Sequence, residues 1–164
     1  AHAIMIALEG IPGIYIHSLL GTQNDYERVR NSGHNRAINR HQWSYPALES
    51  HLSDHQSIHH KIYHALNTLL VLRRQQPAFH PNATQFTLHM GDQLFGFWRQ
   101  SMDRQQSIFC ISNISLETQS VQLSDINLID NEQWFDLISG QPCKGQYDIM
   151  TIQPYQTVWI TNQH

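Results

Sequence analysis

Two arginines stand four residues apart in Asn35-Arg36-Ala37-Ile38-Asn39-Arg40, downstream of Asn24-Asp25-Tyr26-Glu27 in a long polar run. A planar guanidinium can orient a carboxylate and still donate to a hydroxyl, so Arg36 and Arg40 are candidates for ligand contact. The plain alternative is a pair of surface loop arginines matched with nearby carboxylates. Asp25 and Glu27 invite comparison with a catalytic carboxylate pair. Two residues apart on a loop, however, nothing fixes the separation of about 5 Å that a nucleophile and an acid/base carboxylate require. Asn24 suits a loop-shaping Asx turn, and Asp25 is a candidate to line the far side of a site. His17 stands where it could reach the same place, or serve as a hydrogen-bonded structural histidine. His51, His55 and His59 recur every four residues, and His60 and His64 repeat the interval. On one helix that spacing can give metal-ligand geometry. No carboxylate completes a set, so a solvated face is the expectation and no metal is called for.

These residues need positioning elements. Ile11-Pro12-Gly13-Ile14-Tyr15-Ile16 is apolar with little alternation, the pattern of a short strand buried on both faces, as in a parallel sheet. Pro12 fits only its first residue, and Gly10 closes the helix that residues 1 to about 9 predict. The loop from His17 to about Trp43 then emerges at the strand's carboxyl end, where α/β architectures place ligand sites. Ser44-Tyr45-Pro46-Ala47-Leu48-Glu49 reads as a helix start with an early proline. A longer helix is predicted from an Asp54 N-cap to about Gln75. Its residues Ile58, Ile62, Ala65, Leu66, Leu69 and Leu70 share one face, and Arg73 and Arg74 favour the dipole in its last turn. Pro77 ends it.

From about residue 83 the pattern changes to short β-rich runs at about ten-residue spacing, the signature of an antiparallel sheet or sandwich. The runs are 84–90, 93–100, 106–113, 118–123, 133–137, 147–152 and 156–161. Phe95, Phe97, Trp98, Trp134 and Trp159 could form a sugar-stacking platform, but on alternating strands they are expected as sandwich core. The domain boundary is placed near Pro77–Asn82, giving segments 1–80 and 81–164.

The combination Gly10-Ile11-Pro12-Gly13-Ile14-Tyr15, Ser18-Leu19-Leu20-Gly21, Asn24-Asp25-Tyr26-Glu27 and Asn35-Arg36-Ala37-Ile38-Asn39-Arg40 resembles the last barrel strand and following loop of the sucrose phosphorylase-like enzymes. These are a branch of glycoside hydrolase family 13, the α-amylase superfamily. The motifs cover about the first quarter of the chain. The resemblance implies an α+β fragment: the C-terminal end of a (β/α)8 barrel, with its last strand and helices, followed by an antiparallel β-sandwich-like domain. It implies a retaining transfer of a glucosyl unit to phosphate, giving α-glucose 1-phosphate. A hydrolase or transglucosidase of the same superfamily, or a noncatalytic carbohydrate-binding β module, are the alternatives. The nucleophile and acid/base would lie upstream, so the chain holds no catalytic residue and is expected to be inactive alone, its partner being the missing N-terminal barrel segment. Arg36 would bind the glucosyl unit, with Asp25 and His17 as further substrate-side candidates and Arg40 as a structural brace. No cofactor is implied.

Composition fits a globular domain, with 40% hydrophobic residues in 164. A net charge of −3 with 14% charged residues gives no nucleic-acid footprint. No apolar run approaches the roughly 18 residues of a membrane span. Cys110 lies in the apolar run Ile108-Phe109-Cys110-Ile111 and reads as a buried reduced thiol in a cytoplasmic protein.

Overall fold

Alternation after residue 83 builds strands close to every expected place. The computed structural model describes residues 1–126, 133–143 and 149–163. Among these, β1 (Thr84–Leu88), β2 (Leu94–Gln100), β3 (Ser107–Asn113), β4 (Gln119–Gln122), β5 (Phe135–Asp136), β6 (Ile149–Ile152) and β7 (Thr157–Thr161) are formed. The order β1-β2-β3-β7-β5 makes one sheet and β4-β6 another, with every pairing antiparallel. Tyr147 and Asp148, which open the sixth expected run, lie outside the described residues. The chain divides into two compact units, one of Ala1–Pro12 with Leu69–His164 and one of Gly13–Thr68.

Register assigns the two faces of the larger sheet, because directly opposed residues share a face. Phe97, Cys110 and Trp159 are opposed across β2, β3 and β7, so they line one face. Phe79, from the 3₁₀ turn Pro77–Phe79, meets Trp159 edge-on at 4.9 Å between ring centroids. The other face carries Leu94, Phe109, Ile111, Val158 and Ile160, which bury against Val121, Leu123 and Ile152 of the second sheet and its flank. Phe97, Trp134 and Trp159 are buried, as core aromatics should be, whereas Phe95, expected with them, is exposed and Trp98 is half-buried. Cys110 is a buried thiol, and burial pushes its pKa well above the ordinary value.

Arg73 lies in the last turn of the long helix, as expected, and does more than favour its dipole. It is buried, and its guanidinium donates to the carbonyls of Ile6, Leu8 and Gly10. Arg99, also buried, donates to Ala7 O at 3.0 Å, His80 O at 3.0 Å and Ala83 O at 3.3 Å. Helix α1 (His2–Ala7) is short and leaves its last carbonyls without intrahelical donors. The two guanidiniums supply those donors. Burial pulls both below the ordinary arginine pKa, and for Arg99 the Arg73 charge adds to the effect.

The strand expected over Ile11–Ile16 is not formed. Tyr15 is extended (φ −69°, ψ 134°), but Ile16 already begins helix α2 (Ile16–Leu19), and Ile11 is 85% exposed. A parallel strand exists only through its neighbours, and among the described residues no parallel pairing is available to it. The second unit continues with α3 (Tyr26–Ser32), a 3₁₀ turn over Asn35–Asn39, α4 (Tyr45–Ser53) and the start of α5 (Ile58–Gln75). Ser44 caps α4 and Pro46 sits in its first turn, as expected. Asp54 is not the N-cap of the long helix. It closes α4, and its carboxylate accepts from Gln56 N at 2.9 Å, while Ser57 accepts from His59 N at 3.2 Å and takes the capping place.

Candidate functional site

The run from His17 to Trp43 folds as short helical turns fixed by side-chain hydrogen bonds, with few buried apolar groups. Gly21 holds φ +63°, and a Cβ there would stand 2.7 Å from Ile62 Cδ1, so this turn depends on glycine. Thr22 Oγ1 accepts from Trp43 Nε1 at 2.9 Å and lies 3.2 Å from His17 Nδ1. His17 is therefore held in a local network on α2. His59 Nδ1 bonds Leu20 O at 2.7 Å. The Trp43 indole is met edge-on by His41, His51 and His59, at centroid distances of 4.7, 5.5 and 5.0 Å.

Asp25, not Asn24, shapes the turn. Its Oδ1 accepts from Arg28 N at 2.8 Å and caps α3, and its Oδ2 lies 3.1 Å from His41 Nδ1. The Arg28 hydrogen bond, and after it the one to His41, hold its carboxyl below the ordinary aspartate value. Its backbone N–H donates to Ile38 O at 2.7 Å, and Tyr15 Oη donates to Asn39 O at 2.7 Å. Those two bonds pin the turn that carries Arg36.

Arg36 and Arg40 are both exposed, and among the described residues neither guanidinium has a hydrogen bond or ion pair. With Tyr15, Ile38 and Asn39 they line an open depression of about 540 Å³. No carboxylate is braced by Arg40 within this chain's described residues. Asp25 lines a different depression, of about 450 Å³, with Thr22, His41, Trp43 and His59. The structure thus brings Arg36 and Arg40 together and leaves Asp25 and His17 in the network that supports them. Tyr15, His41 and Trp43 had no local signal, since their partners lie 16 to 24 residues away. The break between α4 and α5 puts His51 and His55 off the helix of His59, and no group of three or more metal-binding side chains forms among the described residues.

Known proteins resemble the chain over nearly its whole length. No family model matches it. It is 32% identical over 161 residues to glucosylglycerate phosphorylase of Escherichia coli K12, covering 98% of this chain and 27% of that enzyme. To glucosylglycerate phosphorylase of Allomeiothermus silvanus it is 36% identical over 160 residues, covering 98% of this chain and 26% of the enzyme. Over nearly its whole length the chain is thus similar to one part of the glucosylglycerate phosphorylases. It spans between about a quarter and three tenths of the length of the curated relatives it matches. Among solved structures, a variant of AmyP in complex with maltotriose superposes with a TM-score of 0.75 at 16% identity, over 99% of this chain and 33% of that one. The α-amylase of Geobacillus thermoleovorans complexed with acarbose gives 0.72 at 17% identity, over 99% and 32%. At such identities these likenesses show the fold alone: helices followed by an antiparallel β region.

Proposed function

We propose that the chain supplies the last part of a glucoside phosphorylase barrel, residues 1–80, and the β domain that follows it, residues 81–164. The whole enzyme transfers a glucosyl unit to phosphate with retention. An upstream carboxylate displaces the aglycone to give a covalent β-glucosyl enzyme, and phosphate opens that intermediate to α-glucose 1-phosphate. The relatives named above make glucosylglycerate the first donor to test, ahead of sucrose. Ile11–Ile16 is the last barrel strand of the whole enzyme in this reading. A cytoplasmic setting suits both the buried, protonated Cys110 and a reaction that consumes free phosphate.

The observation that carries this reading is the unpaired Arg36, displayed on a turn that Tyr15 and Asp25 pin in place. A guanidinium held ready without a partner of its own suits a carboxylate from elsewhere in the barrel and the glucosyl hydroxyls together. Arg36→Lys in the full-length enzyme keeps the charge but loses the parallel donors. It should cost about 2–4 kcal/mol of transition-state stabilisation, roughly 30- to 1000-fold in kcat/KM, with an unchanged melting temperature. Phosphorolysis of glucosylglycerate and of sucrose by both proteins is the measurement. Near-normal kinetics for the variant would remove Arg36 from the site, and phosphate-independent glucose release would replace the phosphorylase with a hydrolase.

A further inference from the structure

Three polar side chains converge on Ile6–Gly10, the end of helix α1 and the turn after it. Arg73, in the last turn of α5, donates to the carbonyls of Ile6, Leu8 and Gly10. Arg99, on β2, donates to Ala7 O and ties it to the carbonyls of His80 and Ala83, just before β1. Gln85 Oε1, on β1, accepts from Glu9 N at 3.0 Å. The backbone of every residue from Ile6 to Gly10 is thus held by a side chain 63 to 92 positions further along the sequence. The Phe79 ring lies beside both guanidiniums, with its centroid 5.5 Å from Arg73 Cζ and 5.9 Å from Arg99 Cζ. Because Phe79 also meets Trp159, the clamp is anchored on the sheet's core.

Two buried guanidiniums are a costly way to hold one turn, and among the described residues no carboxylate pairs with either. Well-packed apolar side chains in place of buried charges are often neutral or stabilising, so stability alone accounts poorly for this pair. Apolar burial is non-directional and lets a backbone slide. A guanidinium's rigid fork of donors meets its carbonyls in one arrangement only, and fixing register is the best-attested use of buried polar groups. Register matters at this place, because the chain passes directly from Gly10 into Ile11–Ile16. Side chains alternate along a strand, so a slip of one residue turns each of them to the other face. Tyr15 has to keep its face, since its hydroxyl donates to Asn39 O in the turn that carries Arg36.

We infer that Arg73 and Arg99 are positioning residues for the glucosyl transfer, an inference that rests on the role proposed for Arg36. They set the register in which the last barrel strand leaves Gly10, and so the place at which Tyr15 holds the Arg36 turn. The test is phosphorolysis of glucosylglycerate by the full-length enzyme, at a temperature where melts show each variant folded. Arg99→Met should lower kcat/KM about tenfold or more, as a small misplacement of a substrate contact does. Arg99→Lys keeps the charge with fewer donors and should lower it several-fold, which supplies the comparison if Arg99→Met does not fold. Ile152→Ala truncates the core on the sheet's other face, so it should lower the melting temperature comparably yet leave kcat/KM within about twofold of the parent. If Arg99 acts through the Arg36 turn, the two effects are not additive, and Arg99→Met in the Arg36→Lys background should cost less than about a further threefold. Parent kcat/KM in the folded Arg99 variants, an equal loss in Ile152→Ala, or additive losses in the double variant would each overturn the inference. Parent kinetics in Arg36→Lys would instead overturn the role of Arg36 on which it rests.

Discussion

Trp159 in the β unit and Trp43 in the segment Gly13–Thr68 are the same side chain in two kinds of surroundings. Trp159 is fully buried in its sheet, and among the described residues its indole N–H has no acceptor. Trp43 is partly exposed, donates to Thr22, and is ringed by three histidine edges. The contrast extends to the whole of each region. Most of the buried apolar side chains belong to the β unit, whereas Gly13–Thr68 contributes Leu20, Ala37 and Leu66. One region is held by removal of apolar surface from water, the other by directional bonds among polar side chains. Directional bonds are the means by which a segment with little core can still present Arg36 at a fixed place.

The largest expected effect tests the first half of that contrast. Trp159→Ala should cost about 3–5 kcal/mol, because it opens a cavity under Phe79 and Phe97. Trp43→Ala loses edge contacts and one hydrogen bond and should cost about 1–2 kcal/mol. Urea melts of the chain and both variants would rank them. Equal midpoints would mean that the two regions are stabilised alike.

A smaller effect concerns the arginines. Arg99→Met keeps the volume of the stem but strips donors from the carbonyls of Ala7, His80 and Ala83, and should cost about 2–4 kcal/mol. Arg36→Met removes a guanidinium that no described residue uses, and should change stability by less than about 0.5 kcal/mol. Thermal melts of the two variants sharpen the contrast if they separate in this way. A comparable loss in Arg36→Met would show that Arg36 is structural.

The two regions were not equally legible. Seven β runs could be placed because half-buried antiparallel strands write their burial into alternation, and the described residues place strands in all of them. Ile11–Ile16 carried a strand signal as strong, yet a strand is a property of a pair, and among the described residues no strand pairs with it. Asp54 fits a cap at either end of a turn, so its residue type could not say which helix it serves. Nothing local separates a buried Arg73 or Arg99 from a surface one. Phe86, Trp98 and Phe109 become a row only once the register of three strands is known. Arg36 was found by its motif, whereas the Tyr15, Asp25 and His41 contacts that hold its turn required the fold.

The smallest expected effect isolates a single charge in the polar network. Asp25→Asn leaves an amide oxygen to accept from Arg28 N, and asparagine caps helices about as well as aspartate, so α3 should survive. What is lost is the charge facing His41. Because both hydrogen bonds depress the Asp25 pKa in the folded chain, its stabilising contribution is complete above the ordinary aspartate value of about 3.9. It disappears as pH falls through the depressed folded value, where folded and unfolded chains come to bind the same number of protons. The melting temperature of the parent chain should therefore exceed that of Asp25→Asn near neutral pH, and the gap should close in acid below about pH 4. Melts of both proteins across that range provide the measurement. A gap that stays constant down to the acid limit would show that the carboxylate charge does not hold the segment, and the contrast with the apolar β unit would then rest on Trp43 and the backbone bonds alone.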